Sequence, residues 1–231
     1  MRSILSSAAL LCAIVLTGSA QGPKAELQQK LAAVKESMAR NQAALRRYSW
    51  TAHTEISLKG EVKKTKDDLC RYGPDGQVQK TPLGAPAPPK EMRGARKRIA
   101  ERKKDELEDY MERAVALIHN YVPPSADKMQ QAFQMGNAAI RPSAAGAVQL
   151  QFTNYLKQGD ALTLNFNAAA KTLQTVTVNS YLDAPDDAVT LQVEFQTLPD
   201  GTNYTATTIL DAAAKKLQVR VQNMNYQRVA D

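Results

Sequence analysis

Leu27, Leu31, Val34, Met38 and Leu45 fall three, four or seven residues apart, with Lys, Glu, Gln and Arg between them. On a 3.6-residue period they make one narrow apolar stripe. Pro23 suits the first turn, where its missing N–H would have no partner anyway. The pattern predicts a helix over 23–46 that packs across a sheet or groove, in a repeat too short for a coiled coil. At Tyr48 the period drops to two. Trp50, Ala52, Ile56 and Leu58 fall on one side and Ser49, Thr51, His53, Glu55 and Ser57 on the other, a half-buried strand. Gly60 ends it, a polar strand runs from Val62 to Tyr72, and Gly73-Pro74-Asp75-Gly76 reads as a turn. Gln77 to Thr81 returns as a short third strand.

The Pro-rich connector TPLGAPAPPK, residues 81–90, suits neither helix nor central strand. A helical stripe follows: Met92, Ala95, Ile99, Leu107, Tyr110, Met111, Ala114, Leu117, Ile118 and Tyr121, stopped by Pro123-Pro124. Ser125 can cap a short helix through about Asn137. From Ala147 onward alternation returns in Val148-Leu150-Phe152, Leu162-Leu164-Phe166 and Val189-Leu191-Val193-Phe195. Turn signals at Gly159-Asp160, Asp183 to Asp187 and Pro199-Asp200-Gly201 separate these runs, and links this short require antiparallel neighbours. NAAAKTLQTVTVNSY at 167–181 echoes DAAAKKLQVRVQNMNY at 211–226. The echo fits either a duplicated hairpin or two hairpins that reached the same turn chemistry.

The order is therefore helix, three strands, two helices, then about six strands, each strand apolar on one face. Such a sheet must cover its apolar face, and the helices are the available lid. The fold class expected is α+β: a curved antiparallel sheet or open half-barrel of about nine strands. A single domain over 21–231 is expected to carry the connector 81–90 and a helical insert 91–137. This order resembles the lipoprotein-carrier fold of the LolA/LolB type, an unclosed barrel with helices across its opening. The stretches YSWTAHTEISLKGEVKKTK and CRYGPDGQVQKTPL are similar to a group of uncharacterised exported bacterial proteins. The first resemblance implies a hydrophobic cavity for acyl chains. It assigns no individual ligand residue.

Arg2 followed by the apolar run ILSSAALLCAIVL, with small residues before Ala20, is the pattern of a secretory signal cut after Ala20. The run is shorter than the roughly 20 residues a membrane span needs. A lipoprotein cut before Cys12 would want small residues where Leu10-Leu11 stand. Residues 1–20 are thus expected to leave, and the mature chain to be periplasmic or secreted. Cys12 leaves with the signal, so Cys70 has no intramolecular partner and is either buried or open to an intermolecular bridge.

The formal charge of +7 favours anionic surfaces in general. His53 and His119 stand far apart, with no paired-ligand spacing, so the sequence names no metal site and no cofactor. Neither a GxSxG elbow nor a Gly-rich phosphate loop is present. His53 and Glu55 share a strand face, which is more often a solvated surface than an acid–base pair. His119 suits the negative end of a helix dipole.

The basic block needs two readings. In one, Lys90, Arg93, Arg96 and Lys97, followed by Arg98, Arg102, Lys103 and Lys104, contact an anionic surface. In the other they are the wet side of a helix, because Lys97–Glu101, Arg102–Glu106, Lys104–Glu108 and Asp109–Arg113 are four apart and can pair. Nucleic acid is excluded as the partner, since export removes access and no aromatic residue is interleaved for stacking. The basic-then-acidic order opposes the helix dipole, so local helix stability does not account for it. The function expected is a non-enzymatic exported binding or carrier protein for an apolar or lipid-linked ligand. A second reading is an envelope interaction module working through residues 90–104, and a third is an enzyme of unknown class. Oligomeric state is not legible.

Overall fold

The structure is a computed structural model that describes residues 23–84, 95–142 and 147–229. The signal, most of the connector, and Lys90, Met92 and Arg93 lie outside the described residues. The helices are α1 (Pro23–Leu45), α2 (Ala95–His119) and α3 (Ala126–Gln134). The first strands are β1 (Tyr48–Leu58), β2 (Glu61–Tyr72) and β3 (Val78–Pro82). After the helices come β4 (Ala138–Pro142), β5 (Ala147–Thr153), β6 (Ala161–Asn167) and β7 (Thr172–Tyr181). The last three are β8 (Ala188–Thr197), β9 (Asn203–Ala212) and β10 (Leu217–Arg228).

All ten strands form one antiparallel sheet in the order β3-β2-β1-β10-β9-β8-β7-β6-β5-β4. The first strand pairs with the last, Tyr48 opposite Arg228 and Leu58 opposite Leu217. The α2–α3 excursion carries the chain from one edge of the sheet to the other, so β3 and β4 are both edges and the sheet stays open. Both edges are five residues long and end in proline, Pro82 and Pro142. Short, proline-ended edges resist pairing with another chain. The same property explains why β3 extends into the Pro-rich stretch: an edge strand tolerates a proline that a central strand would reject.

The α+β class and antiparallel order agree with expectation, but there are ten strands where about nine were expected. The additional one is β4, whose Ala-Ala-Ile-Arg-Pro has little alternation to announce it. It follows α3 directly through Gly136, held at φ +78°, where a left-handed residue ends a helix without a side-chain cost.

One apolar cluster lies between the sheet and the helices. Its sheet side includes Leu150, Phe152, Leu162, Leu164, Val176, Val178 and Val189, all free of solvent contact. The helices contribute Val34, Tyr110, Ala114, Ile118 and Met129. The alternating runs therefore point where the period-two pattern put them. The stripe of α2 is buried from Tyr110 onward, whereas Arg98 and residues 101–106 are exposed around the whole helix. Residues 101–106 thus take no part in the core. The α1 stripe is only partly as expected. Val34 is buried and Met38 and Leu45 half-buried, but Ser37, a polar residue outside the stripe, is just 3% exposed.

The two AAAK hairpins close with Asn167 opposite Thr172 and with Ala212 opposite Leu217. Each four-residue loop ends in a left-handed lysine, Lys171 at φ 54° and Lys216 at φ 52°. Sequence alignment matches Asn167 to Asp211, whereas loop geometry matches it to Ala212. The one-residue offset favours convergence on a shared turn.

Candidate functional site

Helix α1 crosses the sheet without filling the space beneath it. A cavity of about 480 Å³ opens between its second half and the sheet. Val34, Met38 and Leu45 of α1 form one wall; Phe166, Leu173, Val176 and Phe195 form the floor. The Val122-Pro123-Pro124 segment and Met129 of α3 close a third side. The space opens to solvent beside α1, and its volume falls within the range of small-molecule sites.

Polar groups set the rim. Ser37 Oγ donates to the Lys171 carbonyl at 2.5 Å, and Asn203 N donates to Asn41 Oδ1 at 3.0 Å. Asn203 Nδ2 in turn donates to the Leu173 carbonyl at 2.8 Å. These bonds pin α1 to the β6–β7 turn and to β9. Hydrogen bonds of this kind contribute about 0.5–1.5 kcal/mol each, less than a fully buried aliphatic side chain.

An aromatic group lies beside the cavity. Trp50 stacks on Tyr226 at 5.5 Å with 9° between planes, and Tyr72, a cavity-lining residue, lies 5.5 Å from Trp50. Trp50 Nε1 donates to Asn223 Oδ1 at 3.1 Å, and Asn223 Nδ2 donates to the Thr205 carbonyl at 3.0 Å. Burial pushes the Tyr72 and Tyr226 hydroxyls above their ordinary range. Cys70 packs in the same cluster at 1% exposure, and burial raises its thiol pKa. This is the buried alternative for the unpaired cysteine. Nearby Asp68 is 3% exposed, and its Oδ1 accepts no hydrogen bond of good geometry. Lys66 Nζ at 2.8 Å compensates it as an ion pair.

A second buried polar centre sits under the end of α2. Tyr121 donates to Asp160 Oδ2 at 2.5 Å and lies 2.8 Å from Ser180 Oγ. Asp160 also accepts from the backbone N–H groups of Tyr155, Leu156 and Lys157. With four donors satisfied, this carboxylate acts as a structural anchor. Burial first, then the Asp160 hydrogen bond, raises the Tyr121 pKa. The sequence marks Asp160 only as part of a turn and does not single out Ser180.

The sequence candidates are placed as follows. His53 Nδ1 lies 2.7 Å from Asp67 Oδ1 on β2, and Nε2 lies 3.6 Å from Glu55 Oε1. Sequence reading found the longer contact and missed the shorter, which comes from the neighbouring strand. The Asp67 hydrogen bond is the main cause raising the His53 pKa. Among the described residues no group of three or more His, Cys, Asp and Glu is arranged to hold a metal ion. In α2, Arg102–Glu106 at 3.6 Å and Lys104–Glu108 at 3.4 Å pair as spacing predicts. Arg113 instead reaches Asp183 at 2.5 Å, because the β7–β8 turn offers a carboxylate across the helix interface. Arg98, Lys103 and Lys104 are exposed. Arg96 and Lys97 lie in the first turn of α2, and their side chains are outside the description.

No family model matches the chain, and no curated protein matches it. Among solved structures, a DUF1329 family protein from Desulfovibrio piger aligns with a TM-score of 0.39 and 9% identity. The alignment covers 85% of this chain and 92% of that one. A likeness this loose carries no functional inference, and it does not bear out the lipoprotein-carrier resemblance.

Proposed function

We propose that this is an exported, non-enzymatic binding or carrier protein for an apolar or lipid-linked ligand. The observation that carries the reading is the cavity of about 480 Å³ under α1. Its walls present mainly carbon, and the amide and hydroxyl groups of Ser37, Asn41, Gln42, Asn203 and Thr205 and the ammonium of Lys35, which also line it, can orient a ligand. The helix above it is held by the buried Val34 together with the hydrogen bonds of Ser37 and Asn41. The export pattern of residues 1–20 supports a periplasmic or secreted location for such a carrier. Among the described residues no helix is long and apolar enough to cross a membrane.

Native mass spectrometry of protein purified from its own envelope tests this reading. Co-purified lipid, or another apolar adduct released by denaturation, is the expected result. A bare chain that also fails to enhance the fluorescence of an apolar probe would sink it.

A second reading draws on a different observation: residues 101–106 of α2 are exposed around the full helix. This leaves Arg98, Arg102, Lys103 and Lys104 exposed, with Arg102 and Lys104 in solvent-exposed pairs to Glu106 and Glu108 that an anionic envelope surface can replace. Liposome sedimentation with and without anionic lipid checks it. Equal sedimentation of the wild type and a variant with these four changed to Gln would exclude it.

A further inference from the structure

We propose that the ligand is an anionic amphiphile, with its charged head in a basic cleft on the other flank of α1. This rests on the carrier reading of the apolar cavity and adds the chemistry of the head group.

The second cleft, about 430 Å³, is lined by Arg40 and Arg47 on or just past α1, Lys171 in the β6–β7 turn, and Arg228 at the end of β10. Asp200 is the carboxylate in its wall, and it is already engaged. Asp200 Oδ2 accepts from Tyr48 Oη at 2.5 Å and from Arg228 Nη2 at 2.8 Å, which holds its carboxyl well below the usual range. Arg40 meets Glu36 at 3.9 Å, at the limit of an ion pair. Among the described residues Arg47 and Lys171 have no carboxylate at ion-pair distance. With Arg228 paired to Asp200 and Arg40 near Glu36, Arg47 and Lys171 supply the uncompensated positive charge of the cleft, and partial enclosure strengthens its attraction for an anion.

The two cavities flank α1, and Ser37 and Asn41, which line both, stand between them. On the helix, Val34, Met38 and Leu45 lie to one side of these two residues, and Arg40 and Ala44 to the other. Ser37 bonds the Lys171 carbonyl and Asn41 the Asn203 N–H, so a molecule occupying both sites replaces these bonds with its own polar linkage between acyl tail and acidic head. Apolar floor, polar seam and cationic cleft thus follow the sequence of chemistry along an acyl phosphate or an acyl carboxylate. The cations of this cleft are distinct from the basic block of α2.

The test is calorimetric titration of the purified protein with dodecyl phosphate, dodecylphosphocholine and dodecanol, each below its aggregation concentration, and with inorganic phosphate. Dodecyl phosphate is expected to bind about tenfold or more tightly than the alcohol, from charge-assisted contacts the alcohol lacks. The triple variant Arg40→Gln, Arg47→Gln, Lys171→Gln is expected to lose that preference while still binding dodecanol. Arg102→Gln, Lys103→Gln, Lys104→Gln is expected to keep it, and circular dichroism confirms that both variants fold. Equal binding of all three amphiphiles, or a preference that survives the first triple variant, overturns the head-group assignment and leaves the carrier reading standing. Loss of preference in the α2 variant also overturns it, because net charge alone would then explain the effect. Inorganic phosphate binding as tightly as dodecyl phosphate shows a free-anion site and breaks the link to the tail. If no amphiphile binds, the carrier reading itself falls.

Discussion

Tyr121 and Ser37 are both almost free of solvent contact, and both tie a helical segment to the sheet through a polar group. Their surroundings differ. Around Tyr121 the core is filled: Phe152, Leu162 and Leu164 are completely buried, and Asp160 has all its donors in place. Around Ser37 the core still buries Val34, Phe166 and Val176, but these residues border a space of about 480 Å³. In the first region apolar packing positions the helix and the hydrogen bonds specify its registry. In the second, the buried Val34 and the hydrogen bonds share the holding. One region of the sheet is thereby packed closed, and the other leaves an apolar space.

The contrast can be broken most forcefully on the packed side. Phe152→Ala should cost about 3–5 kcal/mol, because the buried ring leaves a void that its neighbours only partly fill. A urea midpoint close to that of the wild type would show that this core is as loose as the cavity side. Tyr121→Phe is the next largest. Deleting the hydroxyl leaves Asp160 and Ser180 short of a buried partner, a loss of about 1–3 kcal/mol by the same measurement. An unchanged midpoint would deny the anchor role of the Tyr121–Asp160 pair.

On the open side, replacing Ser37 and Asn41 together by Ala should lower global stability by about 1–2 kcal/mol. The sharper readout is hydrogen exchange: α1 amides should lose protection while those of β6 and β7 keep theirs. Equal loss in α1 and β7 would mean that the two regions open as one unit. The smallest effect belongs to the solvent side of the sheet. The His53 pKa is raised in the fold, chiefly by the Asp67 hydrogen bond. Its contribution is therefore fully present below the unfolded value near 6.5 and is lost as pH rises through the higher folded value. His53→Gln should flatten that part of the stability profile. An identical slope in variant and wild type from pH 5.5 to 9 would refute the assignment.

Much of the architecture was legible because each strand buries one face. Val189, Leu191 and Val193 alternate in the chain and are all buried in the fold. The turn at Gly73–Gly76 was equally readable, since its geometry is local: Gly76 sits at φ +77° and donates to the Gly73 carbonyl. Strand β4 was not readable, because an edge strand paired on one side needs little pattern of its own. In the candidate site, Val34, Met38 and Leu45 were on the expected stripe, but Ser37 and Asn41 looked like ordinary wet positions. Their partners, Lys171 and Asn203, lie more than a hundred residues away. The cations of the basic cleft were equally hidden, since Arg40, Arg47, Lys171 and Arg228 form no run in the chain. Among the described residues of the conspicuous run 90–104, none lines either cavity.

By itself the sequence determined what depends on neighbours along the chain: the periods, the turns, the proline stops and the i, i+4 pairs of α2. These carry the α+β class and the antiparallel order. The tertiary structure alone decided that β1 pairs with β10, that His53 meets Asp67, and that Arg113 leaves Asp109 for Asp183. It also decided that α1 stands off the sheet with an apolar space on one flank and a basic one on the other. The reason is physical: periodicity records which face of an element is buried, whereas a cavity is set by how closely two faces approach. That distance depends on side chains from α1, α3 and five strands at once.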